Sequence, residues 1–178
     1  MYKGKFDNDM TALKNRISVN QNEFSLEDWI FDKFKLGTSV LELGCGTGKQ
    51  TQYILDNYQC DITTIDKTKS FINHERLTSL QQSFDEPFIG KFDNILSVYS
   101  FYYSNNMFEL LDCCINEHLN ISGTIFLVGP GTGNNKELTD VINEVNPNHI
   151  LNEDFINLNN IKYSFKEFRI KNKISFAN

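Results

Sequence analysis

Val40-Leu41-Glu42-Leu43-Gly44-Cys45-Gly46-Thr47-Gly48-Lys49 is an apolar run that breaks into three alternating glycines. The run, from about Thr38 to Leu43, has the length of a buried strand, and Lys49 to Tyr58 follows with Tyr53, Ile54 and Tyr58 at helical spacing. The segment therefore reads as strand, tight loop, helix. One glycine would suffice for a turn, whereas glycines at 44, 46 and 48 permit positive φ and let a ligand lie directly on the backbone. In an open α/β sheet, ligands bind outside the carboxyl ends of strands near the point where strand order reverses, and this loop is expected to occupy that place.

Outward from the loop, strand-like and helix-like periodicities alternate, which predicts a doubly wound, mostly parallel α/β sheet with helices on both faces. Ser25-Leu26-Glu27-Asp28 has the form of an N-cap with an acidic N3 residue, and Leu26, Trp29, Ile30 and Phe34 follow on one face of a helix from about Ser25 to Phe34. After the loop, Asp61 to Asp66 predicts a strand, Thr68 to Glu75 a helix and Leu77 to Gln82 a weak strand. Phe92 to Val98 predicts a buried strand. Asn105 to Leu119 predicts a helix carrying Met107, Leu110, Leu111, Cys114, Ile115 and Leu119, and Gly123 to Gly129 a fifth strand. Lys136 to Val145 is expected as a further helix, with a helical turn at Asn152 to Leu158 and a strand from Ile161 to Ile170. Lys173 to Ala177 either pairs with that strand across Lys171-Asn172 or extends it, so the sheet is expected to be abbreviated at its C-terminal end.

The glycine spacing narrows the ligand. A dinucleotide fingerprint needs its third glycine three residues after the second, whereas Gly46 and Gly48 are two apart, so NAD or FAD fits poorly. A phosphate-binding P-loop fails at two positions, with Leu43 in place of its first glycine and Gln50 in place of the magnesium-binding hydroxyl.

The segment Glu42 to Gly48 resembles the first motif of the class I S-adenosylmethionine-dependent methyltransferases, an acidic residue followed by G-x-G-x-G. Ile62-Thr63-Thr64-Ile65-Asp66, ending eighteen positions after Gly48, resembles the second. Phe92-Asp93-Asn94-Ile95-Leu96-Ser97-Val98-Tyr99-Ser100 resembles the family's fourth strand, and Asn120 to Val128 its fifth with the preceding turn glycine. The resemblance spans roughly residues 26 to 145 and implies a Rossmann-like fold that binds S-adenosylmethionine. It implies that Gly44, Cys45, Gly46, Thr47 and Gly48 lie along the ribose and methionine parts of the cofactor, with Glu42 near the methionyl amino group. Asp66 would accept hydrogen bonds from both ribose hydroxyls, with Lys67 beside it, unless it merely caps the next helix. Gln82 and Ser83 stand where an acidic adenine contact is expected, and Ser97 falls on the strand whose end lies beside the transferable methyl. The Asn-Pro-Pro-Tyr of amino methylation is absent.

In-line methyl transfer needs alignment and exclusion of water rather than a metal or a covalent intermediate, and no metal site is expected. Tyr99, Phe101, Tyr102 and Tyr103 follow the fourth strand, and Tyr99, Tyr102 and Tyr103 are candidate walls of the acceptor pocket, with core packing as the alternative. Topology puts His118 and His149 at the far edge and His74 down a returning helix, so no histidine is placed as a general base. Residues 1–24 are expected to precede the 25–178 domain as a lid over the cofactor or as a surface strap.

Composition sets the remaining bounds. There are 17 Lys plus Arg against 23 Asp plus Glu, a net charge of −6, which disfavours a nucleic-acid partner. No run approaches the roughly 20 apolar residues of a membrane span. The N-terminus lacks the apolar region of a signal peptide, so a cytoplasmic location with four free thiols is expected for Cys45, Cys60, Cys113 and Cys114, which also lack C-x-x-C spacing. The expected activity is methylation of a small-molecule acceptor. The alternatives are a cofactor-binding subunit without catalysis of its own and an RNA- or protein-directed enzyme. An unpaired sheet edge near Ile161 to Ala177 would favour a homodimer or a partner chain.

Overall fold

The computed structural model describes Lys14 and residues 25–129. Up to Val128 these belong to the first of the chain's two compact units. The elements in chain order are α1 (Leu26–Lys33), β1 (Ser39–Leu43), α2 (Lys49–Asn57), β2 (Asp61–Asp66), β3 (Leu77–Gln81), β4 (Phe92–Val98), α3 (Met107–Cys113) and β5 (Leu119–Val128). The strands form one parallel sheet in the order β3-β2-β1-β4-β5. Strand order reverses between β1 and β4, so the carboxyl ends of these two strands flank the switch point.

Burial explains the order. Val40, Leu41 and Leu43 on β1 and Ile95 and Leu96 on β4 are fully buried on successive positions, as strands covered on both faces require. On one face, Ile30, Phe31 and Phe34 of α1 and its cap join Ile54 and Leu55 of α2 over Val40, Ile62 and Leu96. Each such side chain contributes roughly 1.5–3 kcal/mol on burial. Phe31 stacks on Tyr53 with ring centroids 5.0 Å apart, and Phe34 on Phe126 at 4.9 Å. Right-handed crossovers put α3, which links β4 to β5, on the opposite face from α2. The predicted N-cap is present, Ser25 Oγ accepting from the Asp28 N–H at 3.1 Å.

Three expectations are corrected. Residues Thr68 to Glu75 do not form a helix. Asp66 Oδ1 accepts from both the N–H and the hydroxyl of Thr68, Ser70 Oγ accepts from the Ile72 N–H, and His74 Nδ1 accepts from the Arg76 N–H. These local side-chain bonds satisfy the backbone without helical turns. Arg76 then ties the crossover to the end of α2, donating to the carbonyls of Leu55, Tyr58 and Cys60. The predicted helix from Asn105 to Leu119 is α-helical only over Met107–Cys113 and continues as a π-turn, Cys114–His118.

β5 begins earlier than Gly123, at Leu119, with a break in register: Leu119 pairs with Phe92 and Thr124 with Asn94. The intervening residues loop out, with Ile121 fully exposed and Ser122 at a φ of 68°. The expectations for residues 130–178, including His149 and the terminal hairpin, lie outside the described residues. So does the 1–24 segment apart from Lys14, whose ammonium lies 5.7 Å from the Phe71 ring centroid.

Candidate functional site

The glycine loop leaves β1 at the switch point. Gly44 has a φ of 77° and donates its N–H to the Ile65 carbonyl at 2.8 Å. A Cβ there would lie 2.3 Å from Ser100 Cβ, so the residue must be glycine on space as well as on torsion. Gly46, at a φ of 53°, donates its N–H to Asp66 Oδ2 at 2.8 Å. Gly48 opens α2 in the left-handed conformation, and its N–H reaches the Cys45 carbonyl at 2.8 Å. The Cys45 side chain is buried under the loop, and burial together with the charges of Glu42 and Asp66 pushes its thiol up to about 12. It is therefore packing rather than a nucleophile.

Beneath the loop lies a polar support. Glu42 is buried, and its Oε2 accepts from Thr51 Oγ1 at 2.5 Å, joining β1 to the first turn of α2. Burial lifts the Glu42 carboxyl to about 7; the Thr51 hydrogen bond opposes this and the Asp66 charge adds to it. Ser97 is also fully buried, and its hydroxyl donates to the Leu43 carbonyl at 3.0 Å. Ser100 Oγ donates to the same carbonyl at 2.5 Å. Glu42 and Ser97 are thus buried beside the loop, each bonded to a group that holds its shape.

Asp66 is half-buried at the carboxyl end of β2, fastened to Gly46 and to Thr68, and Lys67 beside it is exposed. Gln82 donates its backbone N–H to the Asp66 carbonyl at 3.0 Å and its side chain to the Pro87 carbonyl at 3.2 Å. Ser83 turns toward Glu86 and Asp85. The structure thus brings Gly44, Gly46 and Asp66 together directly and attaches Gln82 through the Asp66 backbone.

At the end of β4, Tyr99 has a φ of 53°, a conformation that costs a bulky residue about 1–3 kcal/mol. It is held there by its N–H bond to the Val128 carbonyl at 2.8 Å, with its side chain 45% exposed. Tyr103 is exposed, Tyr102 half-buried with its ring 4.7 Å from that of Tyr103, and Phe101 is core. The strain at Tyr99 carries no sequence signature.

A second contributor was not foreseen. Glu27 is buried, paired with Lys49 Nζ at 2.8 Å and accepting from Gln50 Nε2 at 3.0 Å, so α1 grips the amino end of α2. Its signal was positional, since residue 27 stands at helical spacing with the buried Ile30, Phe31 and Phe34. Of the described histidines, His74 accepts from Arg76, and His118 is buried against Phe88. No helix among the described residues is long and apolar enough to cross a membrane.

Residues 41–127 match the family model of a methyltransferase domain. Among solved structures, an S-adenosyl-L-methionine-dependent methyltransferase from Methanococcus maripaludis aligns with a TM-score of 0.58 and 17% identity over 83% of this chain and 76% of its own. A chain of the complex between the Haloferax volcanii Trm112 methyltransferase activator and a methyltransferase aligns at 0.53 and 19% identity, over 68% of this chain and 59% of its own. Coclaurine N-methyltransferase, bound to N-methylheliamine and S-adenosylhomocysteine, aligns at 0.50 and 24% identity, over 57% of this chain and 34% of its own. The last two are spanned for less than two thirds of their length, and what all three share with this chain is the fold. No curated protein matches the sequence.

Proposed function

We propose that the chain is a class I S-adenosylmethionine-dependent methyltransferase that transfers a methyl group from S-adenosylmethionine to a small-molecule acceptor, a reading supported by the methyltransferase-domain match and the shared fold. The observation that carries this reading is the bare backbone at Gly44 and Gly46 set against Asp66 at the switch point. The fit to the cofactor is chemical. A loop bare of side chains at 44, 46 and 48 admits the methionine and ribose parts, and Asp66 accepts from three donors, leaving capacity on a half-exposed carboxylate for a ribose hydroxyl. When bound, S-adenosylmethionine supplies an electrophilic methyl group on a sulfonium.

The chain's own part is alignment and exclusion of water. Ser97 and Ser100 fix the Leu43 carbonyl and with it the start of the loop. Tyr99, strained at the end of β4, presents an aromatic face where a sulfonium or acceptor would be walled in. Gln82 and Ser83 follow β3 at the side of Asp66 and remain the candidates for adenine contacts. The acidic net charge supports a small acceptor over a nucleic acid.

Calorimetry on the full chain tests the cofactor: S-adenosylmethionine and S-adenosylhomocysteine are expected to bind, and NAD and ATP not to. Tighter binding of NAD than of S-adenosylhomocysteine overturns it. Release of S-adenosylhomocysteine with a pool of small nucleophiles supports the acceptor class. Turnover only on RNA or protein, or only once a second chain is added, refutes it.

A further inference from the structure

A separate group of donors meets where α3 runs into β5. Cys113 closes α3, and Glu117 and His118 belong to the π-turn that follows. One ligand atom from each lies within 4.8 Å of the others. The winding makes this meeting possible: residues five apart diverge on an α-helix, whereas a π-turn, with its i to i+5 bonding, returns 118 toward 113 while 117 stays adjacent.

The imidazole is set up for a cation. His118 is buried, its ring centroid 4.0 Å from that of Phe88, and its Nδ1 lies 3.0 Å from the Gly90 carbonyl oxygen. A carbonyl can only accept, so Nδ1 donates to it and Nε2 is the ring nitrogen left for a metal, the arrangement by which a backbone partner orients a metal-ligating imidazole.

We propose that Cys113, Glu117 and His118 bind one divalent transition-metal cation of the zinc type at the α3–β5 junction. Thiolate, imidazole and carboxylate together suit zinc rather than magnesium or calcium, and three protein ligands leave a fourth position for water. Tetrahedral donors at zinc bond lengths stand about 3.3–3.8 Å apart, so the three must draw in by roughly 1 Å. Glu117 is exposed and Cys113 half-buried, so those two side chains move while His118 stays as the anchor. Leu119 pairs with Phe92 at the amino end of β4, whereas the glycine loop lies at the carboxyl ends. The cation therefore clamps the π-turn and the irregular start of β5 and takes no part in methyl transfer.

The test is titration of the metal-free full chain with Co²⁺ as the optical probe, followed by displacement with Zn²⁺. One cobalt per chain is expected, with a thiolate-to-cobalt charge-transfer band that zinc abolishes. Cys113→Ser is expected to lose the band, and Glu117→Gln, at an exposed position where the fold is indifferent, to bind at least about tenfold more weakly. Absence of the band, its survival in Cys113→Ser, or unchanged affinity in Glu117→Gln overturns the proposal.

Discussion

Two aspartates at opposite edges of one sheet are used in opposite ways. Asp93, at the amino end of β4, accepts from the Thr38 N–H, the Thr38 hydroxyl and the Ser39 N–H on one oxygen and from Asn120 Nδ2 on the other. Those four bonds, three on one oxygen and one on the other, tie together the start of β1, β4 and the looped-out stretch of β5. The Asn120 and Thr38 bonds hold the Asp93 carboxyl well below the usual carboxylate range. Asp66, at the carboxyl end of β2, takes three donors, two from Thr68 in its own turn and one from Gly46. The amino edge commits its carboxylate to joining three strands, whereas the carboxyl edge uses its own to shape a loop at the switch point.

The sharpest way to break this contrast is Gly46→Val. At a φ of 53° a β-branched residue costs roughly 1–2 kcal/mol of backbone strain, which the buried sheet can absorb, while its methyl groups occupy the surface on which a ligand would lie. S-adenosylmethionine binding is expected to be lost in calorimetry with the far-ultraviolet circular dichroism unchanged. Normal binding by this variant would make the loop a turn and nothing more.

Next in size is the exchange of roles between the two aspartates. Asp66→Ala is expected to weaken S-adenosylmethionine by about 1.5–3 kcal/mol, the worth of hydrogen bonds to a charged group, with little change in the melting temperature of the ligand-free chain. Asp93→Ala is expected to do the reverse, lowering the melting temperature and leaving affinity unchanged. If Asp66→Ala lowers stability and spares affinity, the two edges do not differ in kind.

The strand pattern was legible because β-branched and apolar residues cluster in runs of strand length: Asp61–Asp66 and Phe92–Val98 lie where the sequence places them. Thr68 to Glu75 misled because the Asp66, Ser70 and His74 side chains each accept from the backbone N–H two residues on, local bonds that hydrophobic periodicity does not register. The early start of β5 escaped for a related reason, since Asn120 is drawn to Asp93 across 27 residues of chain. At the site, Gly44, Gly46 and Asp66 were visible as a motif, but which polar residues would face inward was not. Glu42 and Glu27 are buried through partners on α2, Thr51 in one case and Lys49 with Gln50 in the other.

The edges also differ in the sign of their response to pH. Asp93 has a lowered folded-state pKa, so its contribution is present above the ordinary value of 3.8 and is lost as pH falls below it. Glu42 is raised from 4.5 to about 7, so between those values the folded chain holds a proton that the unfolded chain has released, and stability declines as pH rises through that window. Glu42→Gln keeps an acceptor for the Thr51 hydroxyl but cannot ionise, so it should match the parent near pH 4.5 and melt at a higher temperature above pH 7. The gain is what remains after the Thr51 bond has offset part of the cost of burying the charge. Melting temperatures of the parent and the variant, compared pH by pH so that other titrating groups cancel, give the test. A difference that stays flat from pH 4.5 to 8 would mean that Glu42 ionises under the loop without penalty, and that the carboxyl edge is as well satisfied as the amino edge.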